Sequence, residues 1–317
     1  MKQTIVVTGA AGYIGGHIAL RLKDAGHVVV GIDRRPLPKH LDNRVMSFFQ
    51  ADFDSDITKK HLLEVRPAAI IHCAGTSLVG PSLSTPMEYY HNNVIKTVHL
   101  LDFIIQTMPQ TKVIFSSSAA VYGTPIMTPC HEVDPREPIS PYGESKLMVE
   151  QILESYHKAY GLDYVAFRYF NACGADTNSR HGQEPGATHI IARVLESIRD
   201  NKPFTLNGTD YSTDDGSCVR DYVHVQDIAD AHVSALYADA PSGVYNLGTS
   251  NGTSNLEIIS AAERITGKTL QVVTGPQRPG DPATLTASAD KFGRIFKDWQ
   301  KFTLDDMISH AWAWYNV

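Results

Sequence analysis

The 317-residue chain has no apolar run near the ~18 residues that a membrane span requires. It also has no Cys-x-x-Cys pair and no excess of basic charge. Each absence removes a class of protein. Without a long apolar run no membrane partner is expected, and the N-terminus enters a strand-like stretch at once, unlike a secretory leader. The four cysteines, Cys73, Cys130, Cys173 and Cys218, stand far apart. That is the pattern of reduced thiols, not of a disulfide framework, and a cytoplasmic setting is expected. Lys and Arg number 28 against 34 Asp and Glu, a net charge of −6, which disfavours nucleic acid or an anionic membrane as partner. The 14 histidines include no His-Glu-x-x-His and no cluster at zinc-ligand spacing. His72, His224 and His232 lie in apolar segments where packing explains them, and no metal is expected.

What is present is a βαβ rhythm. Thr4–Thr8, Val28–Asp33, Ala69–Cys73, Lys112–Ser116 and Tyr164–Arg168 are short, almost continuously apolar runs, as in strands of a parallel sheet covered on both faces. Helical spacing fills the gaps at Ile14–Ala25, about Met87–Met108 and Tyr142–Tyr160. The expected fold is α/β, a doubly wound parallel sheet of Rossmann type. From Asn171 to Gly216 the texture turns polar and loop-rich around one helix, Thr188–Asp200. Returns to the sheet are expected at Tyr222–His224 and Val244–Leu247, with a helix at Val225–Leu236 between them. Helices near Asn255–Thr266 and Leu304–Trp314 complete a smaller lobe. The boundaries predicted are a dinucleotide-binding domain over 1–171, with returns near 222–248, and an interleaved substrate lobe over 172–317.

The first strand runs into Gly9-Ala10-Ala11-Gly12-Tyr13-Ile14-Gly15. A Gly-x-x-Gly-x-x-Gly that follows a strand and opens a helix fits a dinucleotide pyrophosphate. Gly9 permits the turn, Gly12 the approach of backbone to phosphate, and Gly15 the packing of helix on strand. The helix N-terminus faces the anion with N–H groups and the positive end of its dipole. Asp33 ends the second strand, where a carboxylate grips the adenosine ribose and repels a 2′-phosphate. NAD is therefore expected over NADP, although the adjacent Arg34 is discordant, since an arginine holds that phosphate well.

Tyr142 and Lys146 are four residues apart. On a helix this spacing overshoots one revolution by about 40°, so phenol and ammonium share a face. Bringing a tyrosine from ~10 to ~7 requires about 4 kcal/mol of preference for the phenolate. One ammonium at ~5 Å and an effective dielectric of ~20 supplies about 3 kcal/mol. A cationic nicotinamide supplies the remainder. The pair is a proton-transfer device suited to a hydride carrier.

Taken together, the glycine turn, Asp33, Asp52-Phe53, Ala74-Gly75, Asn92, Ser116-Ser117-Ser118 and Tyr142 with Lys146 resemble the extended short-chain dehydrogenase/reductase family. Within it, Ser116–Gly123 (SSSAAVYG), Ser140–Leu153, Arg168–Gly174 (RYFNACG), Gly208–His224 and Tyr245–Gly248 are similar to the UDP-sugar 4-epimerases over nearly the whole chain. The resemblance implies interconversion of UDP-glucose and UDP-galactose through a transient 4-keto sugar. It implies Tyr142 as base, Ser118 as partner of the sugar's 4-oxygen, and Lys146 as the residue that holds the nicotinamide ribose and lowers the tyrosine pKa. It assigns NAD to Gly9, Gly12, Tyr13, Ile14, Gly15, Asp33, Asp52, Phe53, Ala74, Gly75, Asn92, Ser116, Tyr142, Lys146 and Tyr169. It assigns the UDP-sugar, expected between the lobes, to Ser118, Tyr142, Asn171, His189, Ile190, Arg220, Arg278 and Asp281. Arg220 and Arg278 suit the diphosphate, and Asp281 the uridine ribose. A homodimer is implied through the helices at about Met87–Met108 and Tyr142–Tyr160, with Leu147, Ile152, Tyr156, Val94, Val98 and Leu101 as apolar positions for either that interface or the chain's own core.

Three positions depart from the family's pattern. Ser77 stands where a lysine usually contacts the cofactor. Asn207 replaces an aromatic residue beside the uracil. Leu285 stands where either a tyrosine or a small residue sets the room for an N-acetyl group. The rival 4,6-dehydratase chemistry needs an Asp-Glu pair where this chain has Ala119-Ala120. A non-catalytic dinucleotide sensor would have no use for the serine, tyrosine and lysine together.

Overall fold

The computed structural model describes residues 2–41, 45–237, 240–278, 280–297 and 299–316. In chain order the first part holds β1 (Thr4–Thr8), α1 (Tyr13–Asp24), β2 (Val28–Asp33), β3 (Ser47–Gln50), α2 (Asp56–Val65), β4 (Ala69–His72), α3 (Val79–Ser82), α4 (Pro86–Tyr89), α5 (Lys96–Thr107), β5 (Lys112–Ser118), α6 (Pro141–Tyr160) and β6 (Tyr164–Tyr169). The second part holds β7 (Asn171–Cys173), α7 (Ile190–Asp200), β8 (Phe204–Asn207), β9 (Val219–His224), α8 (Val225–Ala235), β10 (Gly243–Leu247), β11 (Gly252–Ser254), α9 (Asn255–Thr266), β12 (Val272–Gly275), β13 (Thr284–Leu285), α10 (Asp290–Ile295) and α11 (Leu304–Tyr315).

Seven strands form one sheet in the order β10-β6-β5-β4-β1-β2-β3. The pairs from β3 to β5 are parallel, with Ile5 between Val29 and Ala69. Val6, Val7, Ile70 and Ile71 are sealed from solvent, which is why these strands read as unbroken apolar runs. The doubly wound sheet expected from the sequence is present. Strand order reverses between β1 and β4, and the carboxyl ends of strands at such a switch point are where ligands bind in this architecture.

Helix α6 is set by its ends. Ser140 caps it by accepting from Gly143 N at 3.2 Å, Pro141 occupies the first turn, and Gly161 closes it at φ +73. Val149 and Leu153 of α6 join Leu100, Leu101 and Ile104 of α5 and Val113 and Phe115 of β5 in one buried cluster. Each such side chain contributes ~1.5–3 kcal/mol, enough to fix the helix carrying Tyr142 and Lys146 against the sheet. Gly143 permits a second close approach: a Cβ there would lie 2.5 Å from the Ala120 carbonyl oxygen.

Several features differ from the sequence reading, which gave no element at β3 or α2. The helix expected over Met87–Met108 is interrupted by a π turn at Tyr90–Ile95 between α4 and α5. Tyr222–His224 is a strand, within β9, but it does not return to the large sheet. It pairs with β7 in parallel and β11 in antiparallel fashion in a separate sheet. A short apolar run marks a strand without saying which neighbour it joins; Val244–Leu247, within β10, does join the large sheet. Finally, β8 and β12 form a two-stranded parallel sheet, where the sequence predicts loop at β8 and no element at β12.

Two compact units result. The first comprises Met1–Gly123, Pro135–Arg168 and Ala229–Tyr245; the second comprises Thr124–Asp134, Tyr169–Ile228 and Asn246–Val317. Thr124–Asp134, placed before residue 171 in the first domain by sequence, groups with the second unit. There Cys130 exchanges backbone bonds with Thr286 and Ser288 at 2.8 and 2.7 Å. The second unit has its own core, in which Ile191, Val194, Leu195 and Ile198 of α7 meet Ile258 and Ala262 of α9 and Met307 and Ile308 of α11.

Candidate active site

The glycine turn of the first unit has the form a pyrophosphate cradle needs. Gly9 has φ +73, a conformation that favours glycine. A Cβ at Gly15 would lie 2.2 Å from the Gly9 carbonyl oxygen, so only glycine lets α1 start this close to the loop. Gly12 is the N-cap of α1 and brings no side-chain cap, which leaves that end to a ligand's charge. Tyr13 and Ile14 form the first turn, with the Tyr13 ring turned edge-on to His17.

Asp33, buried at the end of β2, accepts from Ala11 N at 3.1 Å and from Arg35 N at 2.9 Å. It thereby joins the glycine turn to the segment after β2. The arginine at this carboxylate is Arg35, with Nε 3.7 Å from Oδ1. The charge of Arg34 acts on Asp52 instead. Asp52 is paired with Lys96 at 2.5 Å and bonded by Asp54 N, and these partners hold its carboxyl below the ordinary range against the cost of burial. The Phe53 ring is buried edge-on to His72. Burial lowers the pKa of His72 to about 3, so it is a neutral hydrogen-bonding link between Thr8 and Thr97.

Ser118 ends β5 in extended conformation, and its hydroxyl accepts from Ala120 N at 3.2 Å. The same hydroxyl lies close enough to the Tyr142 phenol to lower its pKa. The Lys146 ammonium donates to the Ser116 carbonyl at 2.8 Å and lies 5.8 Å from the centre of the Tyr142 ring. Tyr142, Ser118, Ser116 and Lys146 are thus gathered at the end of β5. Burial raises the Tyr142 pKa, the Ser118 hydroxyl opposes this, and the third influence is Tyr89, which raises it further. In the protein alone the largest influence on the phenol is burial and not Lys146. Burial also depresses Lys146 itself to about 8, with Cys73 and Glu150 working the other way. The Cys73 thiol, pushed up to about 11 by burial, is no nucleophile.

The loop after β4 carries Ala74 and Gly75, and its backbone runs beside Lys146. A Cβ at Gly75 would lie 2.9 Å from Asn93 Oδ1 and 3.9 Å from Lys146 Nζ. Asn92, on the π turn, donates to the Thr76 hydroxyl at 3.1 Å. Its buried neighbour Asn93 binds Thr76 more fully, accepting from its N at 2.7 Å and donating to its carbonyl at 3.0 Å and to Ser145 Oγ at 2.9 Å. Tyr89 adds a bond to the Leu78 carbonyl at 2.5 Å. The sequence reading missed Asn93 and Tyr89; the only sign was their place beside Asn92 on one helical face.

The residues assigned to UDP fall in the second unit. Asn171 Nδ2 donates to the Asp221 carbonyl at 2.9 Å. His189 is the N-cap of α7, Ile190 its first residue, and the His189 ring bonds Gln183 at 2.6 Å. Arg220 and Asp281 are paired with each other at 2.5 Å, so they present a joined acid and base and not two independent contacts. Arg278 meets Asn207: with the amide oxygen turned toward the guanidinium, it accepts from Nε and Nη2, both at 3.0 Å. Asn207 therefore orients an arginine, where the sequence reading saw only a missing ring. Leu285 is half-buried and paired with Arg220 in the β13–β9 ladder. Tyr169 is buried at the end of β6 and begins the Tyr169–Ile228 segment of this second unit.

The profile of the NAD dependent epimerase/dehydratase family matches residues 5–248. The chain is 40% identical to the UDP-glucose 4-epimerase of Halalkalibacterium halodurans over 325 residues, covering 99% of this chain and 96% of that one. Among solved structures it is similar to the UDP-glucose 4-epimerase of Stenotrophomonas maltophila with bound NAD and formylated UDP-arabinopyranose, at TM-score 0.94 and 33% identity, over 99% and 98% of the two chains. It is also similar to the enzyme of Brucella ovis in complex with NAD, at TM-score 0.92 and 37% identity, over 98% of each chain.

Proposed function

The chain belongs to the NAD dependent epimerase/dehydratase family, and from that premise we propose that it interconverts UDP-glucose and UDP-galactose with NAD as cofactor. The observation that carries the proposal is the gathering of Ser118, Tyr142 and Lys146 at the end of β5, in the same unit as the Gly9–Gly15 cradle. The residues present suit NAD. Gly9, Gly12 and Gly15 would face the pyrophosphate, Asp33 the adenosine ribose, and Lys146 the nicotinamide ribose. NAD, when bound, supplies a hydride acceptor and a positively charged nicotinamide ring. Tyr142 takes the proton of the sugar's 4-hydroxyl as phenolate while the C4–H bond is broken. Ser118 holds the 4-oxygen by hydrogen bond. A 4-keto sugar results, still tethered by its UDP. Once the sugar has turned over, its other face is open to the hydride that bound NAD would return to C4, and Tyr142 gives the proton back to the 4-oxygen. Retention in one site makes that return effectively unimolecular. The reading gives Asn171, His189, Ile190, Arg220, Arg278 and Asp281 to the UDP.

A coupled assay on UDP-galactose tests this: turnover is expected with NAD and unaffected by a chelator, and a requirement for NADP or loss of activity in chelator contradicts it. UDP-N-acetylgalactosamine in the same assay reports on the room left by Leu285.

Two further expectations arise here. Ser77, exposed after the Thr76 clamp, brings no charge to the cofactor. A charge-assisted hydrogen bond contributes ~1.5–3 kcal/mol against about 1 for a neutral one, so NAD is expected to be held about 2- to 30-fold less firmly than with lysine there. Ser77→Lys is expected to keep more NAD through gel filtration; equal saturation of variant and parent contradicts this. We also propose a homodimer through the faces of α5, the π turn and α6. An apolar groove there is lined by Val94, Met148, Gln151, Ile152, Ser155 and Tyr156. Leu101, named with them from sequence, is instead part of the chain's own core at 1% exposure. Sedimentation at micromolar concentration is expected to show a species of twice the 34.9 kDa chain mass, and only monomer would refute it.

A further inference from the structure

Ser117 and Glu150 have no place in the chemistry above, yet their exposures are 1% and 2%. The Ser117 hydroxyl donates to Glu150 Oε1 at 2.5 Å. Arg168 grips the same carboxylate with both arms, Nε to Oε1 at 3.0 Å and Nη2 to Oε2 at 2.7 Å. Its remaining arm, Nη1, donates to the Tyr122 hydroxyl at 2.8 Å. One buried ion pair therefore holds the chain just before Ser118, at Ser117, and again four residues after it, at Tyr122. Glu150 lies on α6, one turn beyond Lys146 and two beyond Tyr142, so its carboxylate also ties the helix of the proposed base to the strand of its partner.

A buried ion pair is a poor source of stability, because apolar residues of the same volume pack as well without the desolvation cost. What it adds is direction. A carboxylate locked by a two-armed guanidinium can bond a neighbouring hydroxyl in few geometries. Here that hydroxyl is flanked by Ser116, whose carbonyl holds Lys146, and Ser118, whose hydroxyl meets Tyr142. We propose that Glu150, locked by Arg168, is a positioning residue: through Ser117 it sets the Ser116 carbonyl against Lys146 and the Ser118 hydroxyl against Tyr142. The inference rests on the reading of the site given above, in which Lys146 holds the nicotinamide ribose and Ser118 the sugar oxygen.

Glu150→Gln is the direct variant, but it leaves the Arg168 charge underpaired in the core. Ser117→Ala removes the same contact and leaves the ion pair whole. Ser117→Thr restores the hydroxyl on a residue suited to a strand. Two quantities are measured on full-length parent and variants: NADH affinity by fluorescence, and kcat and KM on UDP-galactose. In Ser117→Ala, NADH affinity and kcat are each expected to fall by about 5- to 20-fold, because small displacements of reacting groups are costly. KM for the UDP-sugar should stay within about twofold, since the proposed UDP residues are untouched, and Ser117→Thr should recover most of both losses. The inference is overturned if Ser117→Ala matches the parent in NADH affinity and kcat. It is also overturned if Ser117→Thr is as impaired as Ser117→Ala. Should the parent fail to turn over UDP-galactose, the reading of the reaction fails, and the NADH comparison still decides for or against the role of Glu150.

Discussion

Replacing Tyr142 with phenylalanine is expected to lower turnover of the UDP-sugar by about 10²–10⁴-fold while cofactor and UDP binding survive. The ring's edge-on contact with Tyr89 at 6.4 Å needs no hydroxyl, so packing is kept. What goes is the proton acceptor and the partner of Ser118. The expectation does not depend on a phenol that ionises readily in the protein alone, because burial pushes Tyr142 up and not down. It depends on the phenol being the group within reach of both the Ser118 hydroxyl and the helix face that presents Lys146. A Tyr142→Phe protein that keeps more than half of normal turnover removes Tyr142 from the mechanism.

The largest effect on stability is expected from Arg168→Ala. Arg168 and Glu150 have side-chain exposures of 1% and 2%, and removing the guanidinium strands a carboxylate in the core. Breaking such a pair from one side costs about 3–5 kcal/mol. The urea midpoint should fall accordingly, and a midpoint unchanged from the parent would show that the carboxylate finds water or another donor. Glu150→Gln combined with Arg168→Met should be milder than either single change, because no uncompensated charge remains.

Much of the fold was legible because its signals are local. Ser140-Pro141 and Gly161 bound α6 by capping chemistry, and the glycine turn follows a strand and opens a helix as the pattern requires. Most strands of the large sheet declared themselves by being apolar on both faces, whereas β3, Ser47–Gln50 with both ends exposed, did not. What could not be read is what depends on distant partners. The π turn at Tyr90–Ile95 breaks a helical register that the sequence carries unbroken through Met87–Met108, and the bonds that Asn93 within it makes to Thr76 and Ser145 are set in three dimensions. Tyr222–His224 at the end of β9 suits a strand of the large sheet, yet the sheet β9 joins is decided by β7 and β11. No spacing rule announces that Glu150 meets Arg168, or that Arg35 and not Arg34 reaches Asp33. In the protein alone burial pushes the Tyr142 phenol up, an influence that the sequence, which shows the nearby ammonium, does not reveal.

The central claim is that oxidation and reduction occur at one carbon, in one site, with the hydride returned to where it came from. UDP-galactose carrying deuterium at C4, turned over in ordinary water, tests it directly. The predicted product is UDP-glucose with the deuterium still at C4. Loss of the label to solvent, or its appearance at any other carbon, would contradict the account.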